Sequence, residues 1–181
     1  MRKFLIFLLL CITMVGADFD TVVGFTFKAE GSGLDKTSSH SRYGVSKETI
    51  KRYNKKYKTK YTVNNLTKSQ AKTIAKKFYW EYYNIDIIDN DKLAISIFDF
   101  MYNSNPTKAS KYIEKAAKAY GISGIKQDGV ITKKEMKLIN TGGAELANII
   151  CDKRLGYMQS LKVWKTYKKG WSKRVNAIKS I

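Results

Sequence analysis

The stretch FDTVVGFTFKAEGSG, residues 19–33, decides the fold because an apolar run ends there in a carboxylate and a glycine-rich turn. Asp18 or Asp20 can cap a helix at the start of this run. Several of its residues are spaced three or four apart and therefore share one helical face: Val22, Val23, Thr26, Phe27 and Glu30. Glu30 thus continues the buried face, and Gly31 and Gly33 allow another segment to approach closely.

Glu30 is the first candidate for chemistry. A half-buried acid at the edge of a cleft has its pKa raised by desolvation, which makes it a proton donor near neutral pH. The alternative is a helix-terminal glutamate that only extends into solvent. The residues alone favour this structural alternative.

The N-terminus has the three regions of a secretory signal peptide. Arg2 and Lys3 precede an apolar run over residues 4–15, and Val15-Gly16-Ala17 provides the small residues that precede a signal-peptide cleavage site. The apolar run is too short for an ordinary membrane helix, so a retained anchor is the less favoured interpretation. We expect residues 1–17 to be removed and the chain to be exported, to the periplasm, the cell envelope or the medium.

Cysteine and histidine are too scarce for several kinds of site. After processing only Cys151 remains, so an intrachain disulfide is excluded, and its apolar surroundings predict an inert buried thiol. His40 is the only histidine, which excludes a multi-histidine metal centre. We therefore predict no metal and no cofactor, and chemistry that rests on carboxylates, hydroxyls and amides.

The net charge of +19 indicates anionic partners. Lysine supplies 29 of the 34 basic residues, whereas proteins that read phosphates or base edges usually depend on arginine. Diffuse lysine charge suits anionic envelope polymers. The prediction is therefore no specific nucleic-acid partner, and no stable membrane anchor after processing.

The segment 93–102 is apolar nearly all round, which predicts a central helix. Asp99 is its polar exception, and Asn103 lies four residues further along the same face. A buried aspartate must be hydrogen-bonded or paired. A structural role for Asp99 is favoured over a catalytic one.

The remaining pattern is helical. Thr67 and Thr132 each open a capping box, and Asn105-Pro106 begins another helix. A long helix is predicted over 144–164, and a last one from Gly170. The fold class is mainly α, with a short loop or hairpin after the first helix, in one globular unit.

Several motifs, in order along the chain, resemble the lysozyme-like N-acetylmuramidases of glycoside hydrolase family 108. In that family an apolar helix ends in Glu-Gly-Gly-Tyr, and a following loop ends in Thr-x-Tyr-Gly-Ile. The matching motifs are EGSG at 30–33, SRYGV at 41–45, LTKSQA at 66–71, FDFMYNS at 98–104, DGVI at 128–131, CDKRL at 151–155 and GW at 170–171. The chain departs from the family at Ser32 and Gly33, and its loop between Glu30 and Tyr43 is shorter.

The resemblance implies a muramidase region over 18–90 and, packed on it, a helical peptidoglycan-binding region over 91–181. It makes Glu30 the general acid that cleaves the β-1,4 bond after N-acetylmuramic acid in peptidoglycan glycan strands. The second catalytic group stays open: Asp35 could activate water, or Thr37 or Ser41 could position it. Ser41, Tyr43 and Asn103 are expected to bind substrate, and Asp99 to support the site.

Other functions stay open. The altered loop would suit a peptidoglycan-binding protein without turnover, and the charge would suit a membrane-active protein or a nucleic-acid binder. A lytic transglycosylase would also use one glutamate, but would leave an anhydro-sugar end.

Overall fold

A computed structural model describes residues 16–31, 33–35 and 40–181 of the protein. These ranges contain eight α-helices and a sheet of three two-residue strands. The helices are α1 Phe19–Glu30, α2 Lys47–Tyr57, α3 Lys68–Ala75, α4 Asp91–Asn103, α5 Pro106–Tyr120, α6 Lys133–Asn140, α7 Gly143–Gln159 and α8 Trp164–Lys179. The strands are β1 Leu34–Asp35, β2 Ser41–Arg42 and β3 Val45–Ser46. The predicted mainly α fold with a hairpin after the first helix is confirmed.

Residues 1–15, most of the predicted signal peptide, lie outside the described part of the chain. Among the described residues, no helix is both long enough and apolar enough to cross a bilayer.

Side-chain caps fix where six of these eight helices begin. Asp18 accepts a hydrogen bond from the Thr21 amide at the start of α1, and Ser46 accepts one from Thr49 at the start of α2. Both predicted capping boxes are present, with Thr67 at α3 and Thr132 at α6. These bonds satisfy amide groups that a helix leaves unpaired in its first turn.

Helix α4 is the centre of the molecule. Every residue from Leu93 to Tyr102 is buried, and α4 packs against α1, α5, α7 and α8. The core therefore continues across residue 90, where the sequence placed the boundary between a muramidase region and a helical region. That division stays a prediction.

The C-terminal helices differ from their prediction. Helix α7 ends at Gln159 and α8 begins at Trp164, so the expected helix over 144–164 and the expected start at Gly170 are both wrong. Gly170 lies inside α8, is exposed and has an ordinary helical backbone. A glycine within a helix is tolerated at a cost of about 1 kcal/mol, and so it need not mark a boundary. The predicted stripe of Trp171, Val175 and Ile178 does face the core.

Candidate active site

Glu30 is the last residue of α1, and its side chain is 20% exposed. The buried face of α1, formed by Val22, Val23, Thr26 and Phe27, leads directly to it. Gly31 follows with φ of 74° and ends the helix. The sequence therefore places the carboxylate at the surface end of a buried helical face, as predicted.

Arg174 of α8 contacts this carboxylate from the other end of the chain. Its Nη1 donates to Glu30 Oε1 at 2.6 Å, while its Nε and Nη2 donate to the two oxygens of Asp99 at 2.9 and 2.7 Å. Arg174 thus bridges the two acids, using its planar fork on Asp99 and its remaining donor on Glu30. Burial alone would lower the pKa of Arg174, but Asp99 and Glu30 outweigh burial and raise it.

Asp99 is fully buried and fully paired. Besides Arg174 it accepts hydrogen bonds from Arg154 Nη1 and Thr26 Oγ1, each at 2.7 Å. Burial would raise the pKa of Asp99, but Arg154, Arg174 and Thr26 outweigh it and lower the pKa to about 2. Asp99 is therefore ionised near neutral pH, and this anion holds the guanidinium that contacts Glu30.

Arg154 balances this buried charge. Its side chain is only 1% exposed, and its guanidinium lies over the ring of Phe100, 5.4 Å from the centroid. Its Nε and Nη2 make no hydrogen bond within the described residues. The side chains of Arg154, Arg174, Asp99 and Glu30 together form a polar cluster that joins α1, α4, α7 and α8.

A tight hairpin covers the other side of Glu30. Strands β2 and β3 are joined by Tyr43 and Gly44, whose φ angles are 54° and 75°. A Cβ on Gly44 would lie 2.7 Å from the ring of Tyr102 and 2.9 Å from Cγ of Glu30. Only glycine combines this backbone with such close contact, so Gly44 packs directly on the candidate acid.

Two tyrosines hold the hairpin in place. The ring of Tyr43 stacks on Phe27 with centroids 5.9 Å apart, and its carbonyl accepts a hydrogen bond from the Tyr102 hydroxyl at 2.8 Å. Burial raises the pKa of Tyr102 well above its ordinary value, so this hydroxyl stays a donor.

The other predicted site residues are only partly brought together. Ser41 lies in β2 and pairs with Asp35 of β1 through the backbone. The side chain of Asp35 and the whole of Thr37 lie outside the described part of the structure. Asn103 is exposed, and its amide donates to the backbone carbonyl of Asp99 at 3.1 Å, not to the Asp99 carboxylate. The roles assigned to Asp35, Ser41 and Asn103 stay predictions.

Sequence reasoning missed Arg174, Arg154 and Gly44. For the two arginines, the signal in the sequence was the scarcity of this residue type. Only five of the 34 basic residues are arginines, and an arginine in a lysine-rich protein suggests a bidentate ion pair. For Gly44, the signal was a Tyr-Gly pair between two short polar segments, which suits a two-residue hairpin.

Metal ligands are not clustered in the described ranges: there, no group of three or more histidine, cysteine or acidic residues could hold an ion. Cys151 is buried on α7, and burial raises the pKa of its thiol to about 11. A surface cavity of about 460 Å³ is lined by Gly16, Asp18 and Asp89–Lys92, and Glu30 is not part of its lining.

Comparison with known proteins agrees with the motifs. Residues 23–104 match the family model described as Glycosyl hydrolase 108. A solved structure titled "Structure of Brucella abortus SagA" is 28% identical to this chain, with a TM-score of 0.73, and the alignment covers 90% of this chain and 91% of that one. No curated protein matches.

The matched segment contains Glu30, the hairpin, α4 and Asp99, whereas Arg154 and Arg174 lie beyond it. The structural match extends over nearly the whole chain, and together the two findings confirm the predicted lysozyme-like fold class. Residues 23–104, a little under half of the chain, are thus similar to the glycosyl hydrolase 108 family.

Proposed function

We propose that this protein is an exported peptidoglycan hydrolase that cleaves the β-1,4 bond between N-acetylmuramic acid and N-acetylglucosamine, with Glu30 as general acid. The observation that carries the proposal is the position of Glu30. It ends α1 inside the matched family segment, partly exposed, and is held by Arg174 and Gly44. A fixed carboxyl group that still reaches solvent can meet a glycosidic oxygen.

Arg174 suits the charge changes of such a reaction. It contacts Oε1 of Glu30, and in this proposal the other oxygen, Oε2, carries the proton to the leaving sugar. Once the proton is transferred, Glu30 becomes an anion beside a guanidinium that is already in place. A donor fixed in advance stabilises developing charge without reorganising during the reaction.

Asp35 is our first candidate for the second catalytic group. Its strand β1 begins four residues after Glu30, and the β1–β2 pairing holds Asp35 opposite Ser41. Asp35 would activate water or stabilise the oxocarbenium-like charge, and Ser41 or Thr37 is the alternative that would position the water. The separation of the two groups would decide between inversion and retention. Tyr43 and Asn103 are proposed to line the glycan cleft.

Export and partners complete the proposal. Removal of residues 1–17 would leave Asp18 as the first residue, and its amide nitrogen already lies 3.1 Å from the carboxylate of Asp91. A new terminal ammonium there would gain an ionic partner. The charge of +19 would attract the chain to anionic wall polymers.

The proposal is tested by incubating the chain 18–181 with purified peptidoglycan, beside Glu30→Gln, and analysing the fragments by mass. We expect soluble fragments with reducing muramic-acid ends, and a loss of at least about 100-fold with Glu30→Gln, in the range expected for a general acid. Glu48→Gln, which changes an exposed glutamate on α2, is the matched control and should retain full turnover.

Other outcomes would select the alternatives. Anhydro ends would keep Glu30 but make the protein a lytic transglycosylase. Sedimentation with the wall without fragments, for both wild type and Glu30→Gln, would indicate a binding protein and overturn the catalytic proposal. Vesicle leakage that Glu30→Gln leaves unchanged would indicate a membrane-active protein.

A further inference from the structure

The C-terminal end of the molecule carries an exposed surface that the candidate active site does not use. Its aromatic residues Trp164, Tyr167 and Trp171 lie three and four positions apart on α8, and so they share one face. Tyr167 stacks on Trp171 with centroids 5.4 Å apart, and Trp164 lies 6.3 Å from Trp171. Val163, just before the helix, is 48% exposed and Tyr167 is 52% exposed.

Five exposed lysines alternate with these aromatic residues along the sequence. They are Lys162, Lys165, Lys168, Lys169 and Lys173. Residues 153–181 contain nine basic residues and no acidic one. We name this region, Val163, Trp164, Tyr167, Trp171 and the five lysines, the α8 surface. Its positive charge has no counter-charge along this part of the chain.

The first half of α8 is more exposed than the second half, although Trp164 and Trp171 are half-buried against the core. Residues 165–170 are all exposed, whereas Val175 and Ile178, further along the helix, are fully buried. The second half therefore anchors α8 to the core, and the first half is presented to solvent. Exposed Val163 and Tyr167, beside two half-buried tryptophans at a strongly cationic end, are typical of an interaction surface.

We infer that the α8 surface binds anionic phospholipid headgroups, as a peripheral contact with a membrane face. Tryptophan and tyrosine are the side chains that favour the boundary between lipid headgroups and acyl chains. Lysines around them gain energy from a negative lipid surface. Helices with lysine on one side and tryptophan or other apolar residues on the other lie in that boundary. The exposed valine favours lipid over a carbohydrate chain.

The lipid contact would also determine where the candidate active site lies relative to the membrane. Trp171 and Arg174 are three residues apart on α8, which is about 4.5 Å along the helix axis. Arg174 in turn contacts Glu30. If the proposed function holds, a protein bound through the α8 surface would hold Glu30 close to the membrane and act on the nearest wall strands. The lipid contact itself does not depend on that function.

The test is sedimentation of the chain 18–181 with vesicles of phosphatidylcholine, alone or mixed with phosphatidylglycerol. We expect binding to the anionic vesicles only, and weaker binding as salt is raised. The triple variant Lys165→Glu, Lys168→Glu, Lys169→Glu should lower this binding by about 100-fold. The double variant Val163→Ser, Tyr167→Ser should lower it by about tenfold, because the apolar contact is lost.

The matched control is Lys55→Glu, Lys108→Glu, Lys134→Glu, which makes the same change in net charge at exposed positions elsewhere. It should change vesicle binding by less than about fivefold. Equal losses in the two triple variants would show attraction by net charge alone and would overturn the proposal. So would no binding of the wild type to anionic vesicles, or binding to purified peptidoglycan that only the α8 triple variant reduces. Because no outcome uses turnover, failure of this proposal is distinct from failure of the proposed hydrolase.

Discussion

Arg174 has the most demanding geometry of any residue in the site. Three of its nitrogens donate to two different carboxylates, and all three bonds are 2.9 Å or shorter. The side chain is 13% exposed, so water screens these contacts only weakly. A lysine would keep the positive charge, but as a point charge it cannot hold both oxygens of Asp99 and also reach Glu30.

We therefore predict that Arg174→Lys lowers peptidoglycan turnover by about 10- to 100-fold, the equivalent of one charge-assisted hydrogen bond. Turnover should be measured together with thermal unfolding, so that loss of the site is separated from loss of the fold. Arg52→Lys, at an exposed position of α2, is the matched control and should retain activity. Wild-type turnover in Arg174→Lys would show that Arg174 does not position Glu30.

The lowered pKa of Asp99 predicts how the free energy of unfolding depends on pH. Its pKa is lowered from 3.8 to about 2 in the folded state, so the folded chain binds the proton less readily than the unfolded chain does. The resulting stabilisation, about 2 kcal/mol, is fully present above the unfolded pKa and is lost as pH falls through about 4 to about 2. Urea unfolding of the chain across this range measures the loss.

The variant Thr26→Val tests whether Asp99 causes the loss of stability in this pH range. It keeps the shape of the side chain but removes the hydroxyl that donates to Asp99 at 2.7 Å and helps to lower its pKa. We expect the acid transition of this variant to move to higher pH. Thr166→Val, at an exposed position of α8, should leave it unchanged. An unaltered transition in Thr26→Val would mean that Asp99 does not control acid stability.

At the scale of elements, local signals predicted helix starts better than helix ends. Asp18, Thr67 and Thr132 are recognisable because a cap uses one side chain and an amide three residues away. The break between α7 and α8 was missed because residues 160–163 contain neither glycine nor proline. Gly170 suggests a boundary instead, although α8 packs on the core on both sides of it, through Trp164 before it and Val175 and Ile178 after it.

Gly170→Ala should therefore stabilise the protein, by about 0.4–1 kcal/mol, because alanine restricts the unfolded chain and fits this helical position. A Cβ there would have no neighbour within 4 Å. Urea unfolding gives the change. The opposite is expected for Gly44→Ala, whose Cβ would contact Tyr102 and Glu30 at a position with φ of 75°. Destabilisation by Gly170→Ala would contradict a continuous α8.

At the scale of the whole molecule, the candidate site is made from both ends of the chain. Glu30 was predictable because it ends a periodic apolar run, and Asp99 because it interrupts another. Their link through Arg174 was not, because 144 residues separate Arg174 from Glu30 and only the packing of α8 on α4 and α7 brings them together. Sequence patterns report local periodicity, whereas this contact depends on the complete tertiary fold.

This long-range contact predicts that the family-matched region needs the helices that follow it. A chain of residues 18–104 would keep Glu30 and the hairpin but would lose α5, α7, Arg154 and Arg174. Asp99 would then lose both of its arginine partners, and the apolar faces of α4 that α5, α7 and α8 cover would be exposed. We expect this fragment to show no cooperative thermal transition by circular dichroism and no turnover of peptidoglycan, while the chain 18–181 shows both. A fragment 18–104 that folds cooperatively and releases wall fragments would show that Arg174 and the C-terminal helices are dispensable for the site.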